Sequence, residues 1–198
     1  MCLRGEKIIY TNKETMRIAI GITGSSGAVY AVEFLKRCEA DKYLVLSKWG
    51  KTVLKDEMNL AERDLQPHVK KIFSNDDLHA PLASGSNQID AYVIIPCTTS
   101  TLSKIAGGIG DTLITRTAQV ALKERFKMVL CIRETPLSSL ALEHCLKLSR
   151  DGAIIMPISP PLYFLPKTVD EYVQAFAEKV LGVIGVRQSK GWRAEELE

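Results

Sequence analysis

The chain has 198 residues, 46% of them hydrophobic and 25% charged, with 26 Lys and Arg against 23 Asp and Glu for a net charge of +3. That length suits one domain and is enough to bury roughly 70% of the unfolded chain's surface, so no disulfide or metal is required to hold it together. The composition excludes a disordered chain, a collagen-like fibre and a small disulfide scaffold, and so weak a charge does not by itself argue for nucleic acid.

Arg17–Thr23 is short, apolar and β-branched and is stopped by Gly24, which predicts a buried strand. Ser26–Cys38 follows with helical spacing of Val29, Val32, Phe34 and Leu35. Tyr43–Leu46 reads as a second strand, Lys48–Asn59 as a helix and Val69–Phe73 as a weaker third strand. Ser74–Gln88, rich in Ser, Asp, Asn, Pro and Gly, reads as a long loop. Ala91–Ile95 is a strongly apolar strand stopped by Pro96, Thr112–Arg125 an amphipathic helix and Met128–Ile132 the next strand. Thr135 and Pro136 predict a helix start with proline in the first turn, and Gly152 stands just past that helix's expected end. Ala153–Met156 is another strand, and Thr168 with Glu171 predicts a capping box opening a last helix to about Gly185. Residues 1–15 are read as an extension, 16–186 as the domain and 187–198 as a polar tail containing Trp192.

Apolar strands alternating with helices predict an α/β fold, a single doubly wound parallel sheet of the Rossmann or flavodoxin kind. Ligands of such sheets bind where the strands end, so the strand ends carry the argument. After the first strand, Gly24-Ser25-Ser26-Gly27 is either a tight turn or a place where backbone amides meet an anion. After the second, Ser47 is an N-cap or a ligand. After the fourth come Cys97 and four consecutive hydroxyl residues, Thr98, Thr99, Ser100 and Thr101, which can cap a helix and still present donors. Cys97 has no histidine near it in sequence and reads as a buried, inert thiol. After the fifth, Arg133-Glu134-Thr135-Pro136 offers a structural ion pair or a phosphate ligand beside a proton carrier. After the sixth, prolines stiffen a loop carrying Tyr163, a packed aromatic or a lid over the site. Polar groups recurring after strand after strand predict a site for a phosphorylated, largely planar ligand.

His68, His79 and His144 share no metal-ligand spacing, and no metal is expected. No basic, aromatic-rich stripe points to nucleic acid. No apolar run approaches the ~18–20 residues of a membrane span, and the first 16 residues do not form a signal peptide. The cysteines, Cys2, Cys38, Cys97, Cys131 and Cys145, form no CxxC pair and fit reduced thiols in a cytoplasmic protein.

Five motifs in order resemble one family. Ile20-Gly21-Ile22-Thr23-Gly24-Ser25-Ser26-Gly27-Ala28 is similar to its TGASGA turn and Ala83-Ser84-Gly85-Ser86 to its ASGS loop. Pro96-Cys97-Thr98-Thr99-Ser100-Thr101-Leu102 is similar to its PCSxxTL segment, Ala121-Leu122-Lys123-Glu124-Arg125 to its ALKER helix end, and Arg133-Glu134-Thr135-Pro136 to its RE[TA]P turn. From about Arg17 to Gly185 the chain resembles the UbiX-type flavin prenyltransferases, relatives of the flavin-containing cysteine decarboxylases, whose Asn-Met substrate motif has no counterpart here. The resemblance implies transfer of a dimethylallyl group from dimethylallyl monophosphate to N5 and C6 of reduced FMN. It also implies a UbiD-type decarboxylase as recipient of the prenylated FMN, and a homo-dodecamer with sites at subunit contacts. It implies that Gly24, Ser25, Ser26, Ser47, Thr98, Thr99, Ser100, Thr101 and Arg133 hold FMN. Lys123, Arg133, Glu134, Tyr163, Lys179 and Trp192 would bind the prenyl donor, with Ser26, Glu57, Lys123 and Glu134 catalytic. The family often has Arg where Lys179 stands, and lysine keeps the charge without the bidentate fork. The residues alone leave two other readings, an FMN-dependent decarboxylase of a cysteine-type substrate and a non-enzymatic flavin carrier.

Overall fold

The structure, a computed structural model, describes residues 15–163 and 165–186. Six strands, β1 (Arg17–Ile22), β2 (Asp41–Leu46), β3 (Lys71–Ser74), β4 (Ala91–Cys97), β5 (Lys127–Ile132) and β6 (Ile154–Pro157), form one sheet in the order β3-β2-β1-β4-β5-β6. Every pairing is parallel. This is a doubly wound α/β fold whose strand order reverses between β1 and β4, the switch point at which such sheets take ligands. The helices are α1 (Ala28–Arg37), α2 (Lys48–Met58), α3 (Thr99–Ala106), α4 (Leu113–Glu124), α5 (Ser139–Arg150) and α6 (Val169–Ile184). Among the described residues, no helix is long and apolar enough to cross a membrane.

Side-chain alternation along β1 builds both halves of the core. Ile18, Ile20 and Ile22 join Phe34 and Leu35 of α1 and Phe176 and Val180 of α6 on one face. Ala19 joins Tyr92, Leu102, Leu113 and Ala118 on the other. Five helices begin at a hydroxyl residue that accepts the amide three positions on: Ser47, Thr98, Thr112, Ser138 and Thr168. α1 begins at Gly27 and has no such cap of its own.

The predicted elements shift in several places. α5 starts at Ser139 rather than at Pro136, because Ser138 Oγ accepts the Ala141 amide and so provides the cap. β3 begins two residues later than predicted, Val69 closing a 3-10 turn over Glu62–His68. β4 runs through Pro96 to Cys97, accommodating the proline at a register irregularity between Ile94 and Cys97. The Ser74–Gln88 segment contains a short 3-10 turn at Pro81–Ala83, and α3 is an added helix. Thr168 Oγ1 caps the Glu171 amide, but Glu171 Oε2 returns to the amide of Lys167, one residue before the cap (2.6 Å).

Candidate active site

Three helix N-termini meet at the switch point. Thr23, buried at the end of β1, donates its hydroxyl to Pro96 O (2.7 Å) and accepts the Thr98 amide (2.9 Å), joining the β1 exit to the β4 exit. A Cβ on Gly24 would lie 2.4 Å from Trp49 Cβ, and one on Gly50 2.5 Å from Ile22 O. Only glycine at these positions lets the first turn of α2 close onto the β1 exit. Ser47 binds from both sides, its amide donating to Ile22 O (2.9 Å) and its hydroxyl accepting the Gly50 amide (2.9 Å). The starts of α1, α2 and α3 therefore gather around residues 24–27, and their aligned peptide dipoles favour a negative group there.

The first negative group at this place belongs to the protein. Glu57, on α2, accepts the Gly27 amide (2.9 Å to Oε2, 3.2 Å to Oε1) and the Ala28 amide (2.9 Å). Burial raises its pKa, but the Ser26 hydroxyl, the two amides and the charge of Arg133 outweigh burial and hold the carboxyl below its ordinary range. Glu57 is thus an anion at neutral pH and an acceptor for Ser26. Of the two readings open for this turn, a tight turn or a place where backbone amides meet an anion, the structure gives two of the amides to an anion of the protein itself, Glu57. The glycine-serine turn keeps its other donors.

In the hydroxyl run, Thr98 Oγ1 accepts the Thr101 amide (3.1 Å) and donates to Thr101 Oγ1 (2.9 Å). The opening amides of α3, at Thr99 and Ser100, have no intrahelical acceptor. Arg133 follows β5 at this same rim, its amide donating to Cys97 O (3.4 Å). Glu134 Oε1 accepts the Thr135 amide (3.0 Å), and both charged side chains are exposed. Tyr163 is 42% exposed in the loop after β6. Cys97 is fully buried, and burial, with Cys145 nearby, pushes its thiol far up, so it is an unreactive packing group.

Three residues at this rim escaped the sequence reading: Thr23, Tyr30 and Trp49. Tyr30 stands three residues after Gly27, and its ring edge lies 3.1 Å from where a Gly27 Cβ would be. It packs edge-on to Phe176 (5.4 Å between centroids). Burial and the Tyr172 phenol push its hydroxyl up, while Arg133 pulls it down. Tyr30 at the third position after the turn was the available signal.

Lys123 and Lys179 stand apart from this cluster. Lys123 lies in the last turn of α4, before β5 begins, whereas Arg133 lies after β5 ends. The two are separated by the length of that strand, on the order of 17–20 Å. Lys123 pairs with Glu124, whose carboxylate lies against Gly85. Arg116 donates to Ala83 O (3.1 Å), and Ser84 and Ser86 share a hydroxyl contact (2.9 Å). The ASGS-like loop and the ALKER-like helix end thus form a second cluster of cations and hydroxyls. Lys179 follows Glu178, which pairs with Arg37 in the last turn of α1 (2.9 Å), and so lies about 15 Å along α6 from its start. Within one chain these two lysines lie away from the rim, because helices following a strand end run away from the rim at which that strand ends. Trp192 lies outside the described residues.

The chain matches the Flavoprotein family over residues 6–180. It is 43% identical over 172 residues to the flavin prenyltransferase UbiX of Thermoplasma acidophilum, covering 86% of this chain and 96% of that one. A crystal structure of AnUbiX (PadA1) in complex with FMN and dimethylallyl pyrophosphate superposes with a TM-score of 0.85 at 31% identity, covering 91% of this chain and 100% of that one. A dodecameric FMN-dependent UbiX-like decarboxylase from Escherichia coli O157:H7 superposes with a TM-score of 0.85 at 36% identity, covering 89% and 99%.

Proposed function

The chain belongs to the Flavoprotein family and, within it, to the flavin prenyltransferases, and from that premise we propose that it attaches a dimethylallyl group from dimethylallyl monophosphate to N5 and C6 of reduced FMN. The observation that carries the reading is the meeting of Ser26, Glu57 and Arg133 at the start of α1, beside a turn that only glycine permits. A mere flavin carrier has no need of a second set of cations, and this chain carries Arg116, Lys123 and Lys179 besides Arg133.

The rim suits FMN. Gly24 allows a close approach to the backbone, the amides of α2 and α3 and the hydroxyls of Ser25, Ser47 and Thr98–Thr101 offer donors, and the flavin's own phosphate completes the charge balance. Reduced FMN supplies the two positions, N5 and C6, at which the prenyl group becomes attached. As the allylic C–O bond breaks, its electron pair leaves with the phosphate, and Arg133 stabilises the growing negative charge. Glu134 and Tyr163 hold the remaining phosphate oxygens in their protonated or hydrogen-bonded form. Tyr163 also presents an aromatic face to positive charge on the allyl carbon, worth about 1–2 kcal/mol or more in a dry site. Ser26 Oγ takes the proton lost at N5 or C6 while passing its own hydroxyl proton to the Glu57 carboxylate.

Lys123 and Lys179 join the same phosphate only from neighbouring copies, so the active form is a homo-oligomer, a dodecamer as in the Escherichia coli relative. The product passes to a UbiD-type decarboxylase in the cytoplasm. The test mixes the protein with reduced FMN and dimethylallyl monophosphate and takes a mass spectrum of the extracted flavin. A gain of one five-carbon prenyl unit is expected. Unmodified flavin with both the monophosphate and the diphosphate would overturn the reading.

A further inference from the structure

His144, on α5, faces α3 across the sheet's second layer. Its Nδ1 lies 3.0 Å from Ser103 Oγ, and Ser103 Oγ donates to the carbonyl of Thr99 (2.8 Å). A serine hydroxyl has one proton. Spent on Thr99 O, it leaves only lone pairs toward the imidazole, so Nδ1 carries a proton and donates. The chain His144 Nδ1–H to Ser103 Oγ–H to Thr99 O ends at the first residue of α3, inside the hydroxyl run. It also joins the two helices whose opening turns flank the site: α3 follows Thr98, and α5 follows Arg133-Glu134-Thr135-Pro136.

Without a partner on α5, a serine bonded back to the carbonyl four residues earlier loosens and bends a helix. With His144 attached, that same bond anchors the opening turn of α3 to a neighbouring helix. We propose that His144, acting through Ser103, is a positioning residue for flavin binding, holding the Thr98–Thr101 turn in register with the β1 exit. The inference rests on the proposed FMN site and adds to it a residue that touches no ligand.

The test measures FMN binding by calorimetry for the full-length wild type, His144→Leu, Ser103→Ala, the double variant and His144→Asn, with thermal midpoints taken alongside. Loss of one neutral hydrogen bond predicts about threefold to tenfold weaker FMN binding for His144→Leu and for Ser103→Ala. The double variant is expected to be no weaker than either single one, since both cut the same chain. Asparagine, whose Nδ2 stands near the place of Nδ1 and donates, is expected to restore affinity while leucine does not, which loss of packing alone would not produce. Wild-type affinity in both single variants, or additive losses in the double variant, overturns the inference. Should His144→Leu not fold, Ser103→Ala against wild type decides the matter. A wild type that binds no FMN overturns the proposed function itself, a separate result from a wild type that binds and variants that bind equally.

Discussion

The carboxylate of Glu57 seals the amino end of α1, accepting the amides of Gly27 and Ala28 at 2.9 Å from a helix that lies next to it in the fold. A glycine N-cap offers no side chain, so α2 supplies the missing acceptor. The arrangement has a pH signature. The folded-state pKa is depressed, so the stability it contributes is present above the unfolded carboxyl value of about 4.3 and is lost as pH falls through the lower folded value. Glu57→Gln keeps an acceptor but not the charge. It should cost about 0.5–1 kcal/mol at neutral pH, with the gap from wild type closing below about pH 4. Thermal midpoints from pH 3 to 7 read this directly. The same variant should still bind FMN yet transfer the prenyl group more slowly, because Ser26 loses its anionic partner. Unchanged single-turnover absorbance traces would remove Glu57 from the chemistry.

Gly24→Ala tests the closeness of α2 to the β1 exit. The added methyl would sit 2.4 Å from Trp49 Cβ, with Trp49 backbone atoms at 3.3 and 3.4 Å. Overpacking of this kind costs about 1–3 kcal/mol, and here the displaced element is one that carries Ser47 and Glu57. FMN affinity should fall at least about tenfold, an amount equal to 1.4 kcal/mol or more. Trp49→Ala keeps the offending Cβ and should give no rescue, whereas Trp49→Gly removes it and should restore part of the binding.

The fold was legible because β1, β4 and β5 are short apolar runs, with Gly24 and Arg133 just past the ends of β1 and β5, and because Ser47 and Thr168 announce helix starts chemically; Pro96, which reads as a stop, lies inside β4. The rim segments were legible because polar residues follow strand after strand. What stayed hidden depends on contacts between distant segments. Nothing in the local sequence says that Glu57 reaches back thirty positions to Gly27, that Thr23 bridges to Thr98, or that His144 meets Ser103. The place of Lys123 stayed hidden for a different reason. A motif says which residues act together, and only the direction of α4, ending where β5 begins, shows that one chain cannot bring it to Arg133.

Thr23→Val isolates the hydroxyl that joins the two strand ends. Valine keeps the shape, so packing is little changed. The Thr98 amide loses its acceptor, and Pro96 O keeps only the longer bond from the Thr23 amide (3.3 Å). An unsatisfied amide in a half-buried place costs about 1 kcal/mol, the low end of the range for a buried one. Denaturant midpoints should drop accordingly with an unchanged slope, and FMN affinity should fall with them, since the Thr98 amide is no longer tied to the β1 exit. A variant as stable as wild type would mean that water or a shifted neighbour replaces the hydroxyl.

Lys123 and Arg133 provide the sharpest test of assembly. If both contact the donor phosphate, they must come from different copies, because β5 separates them within one chain. Lys123→Ala and Arg133→Ala should each be nearly inactive as pure oligomers. After the two are unfolded together and refolded as a mixture, sites drawing an intact Lys123 from one copy and an intact Arg133 from another reappear. Random assembly of equal amounts predicts about one quarter of wild-type activity. Simple mixing of preformed oligomers should restore none until subunits exchange. If the refolded mixture stays as inactive as its parents while each variant still binds FMN, the two cations do not complete a shared site between chains.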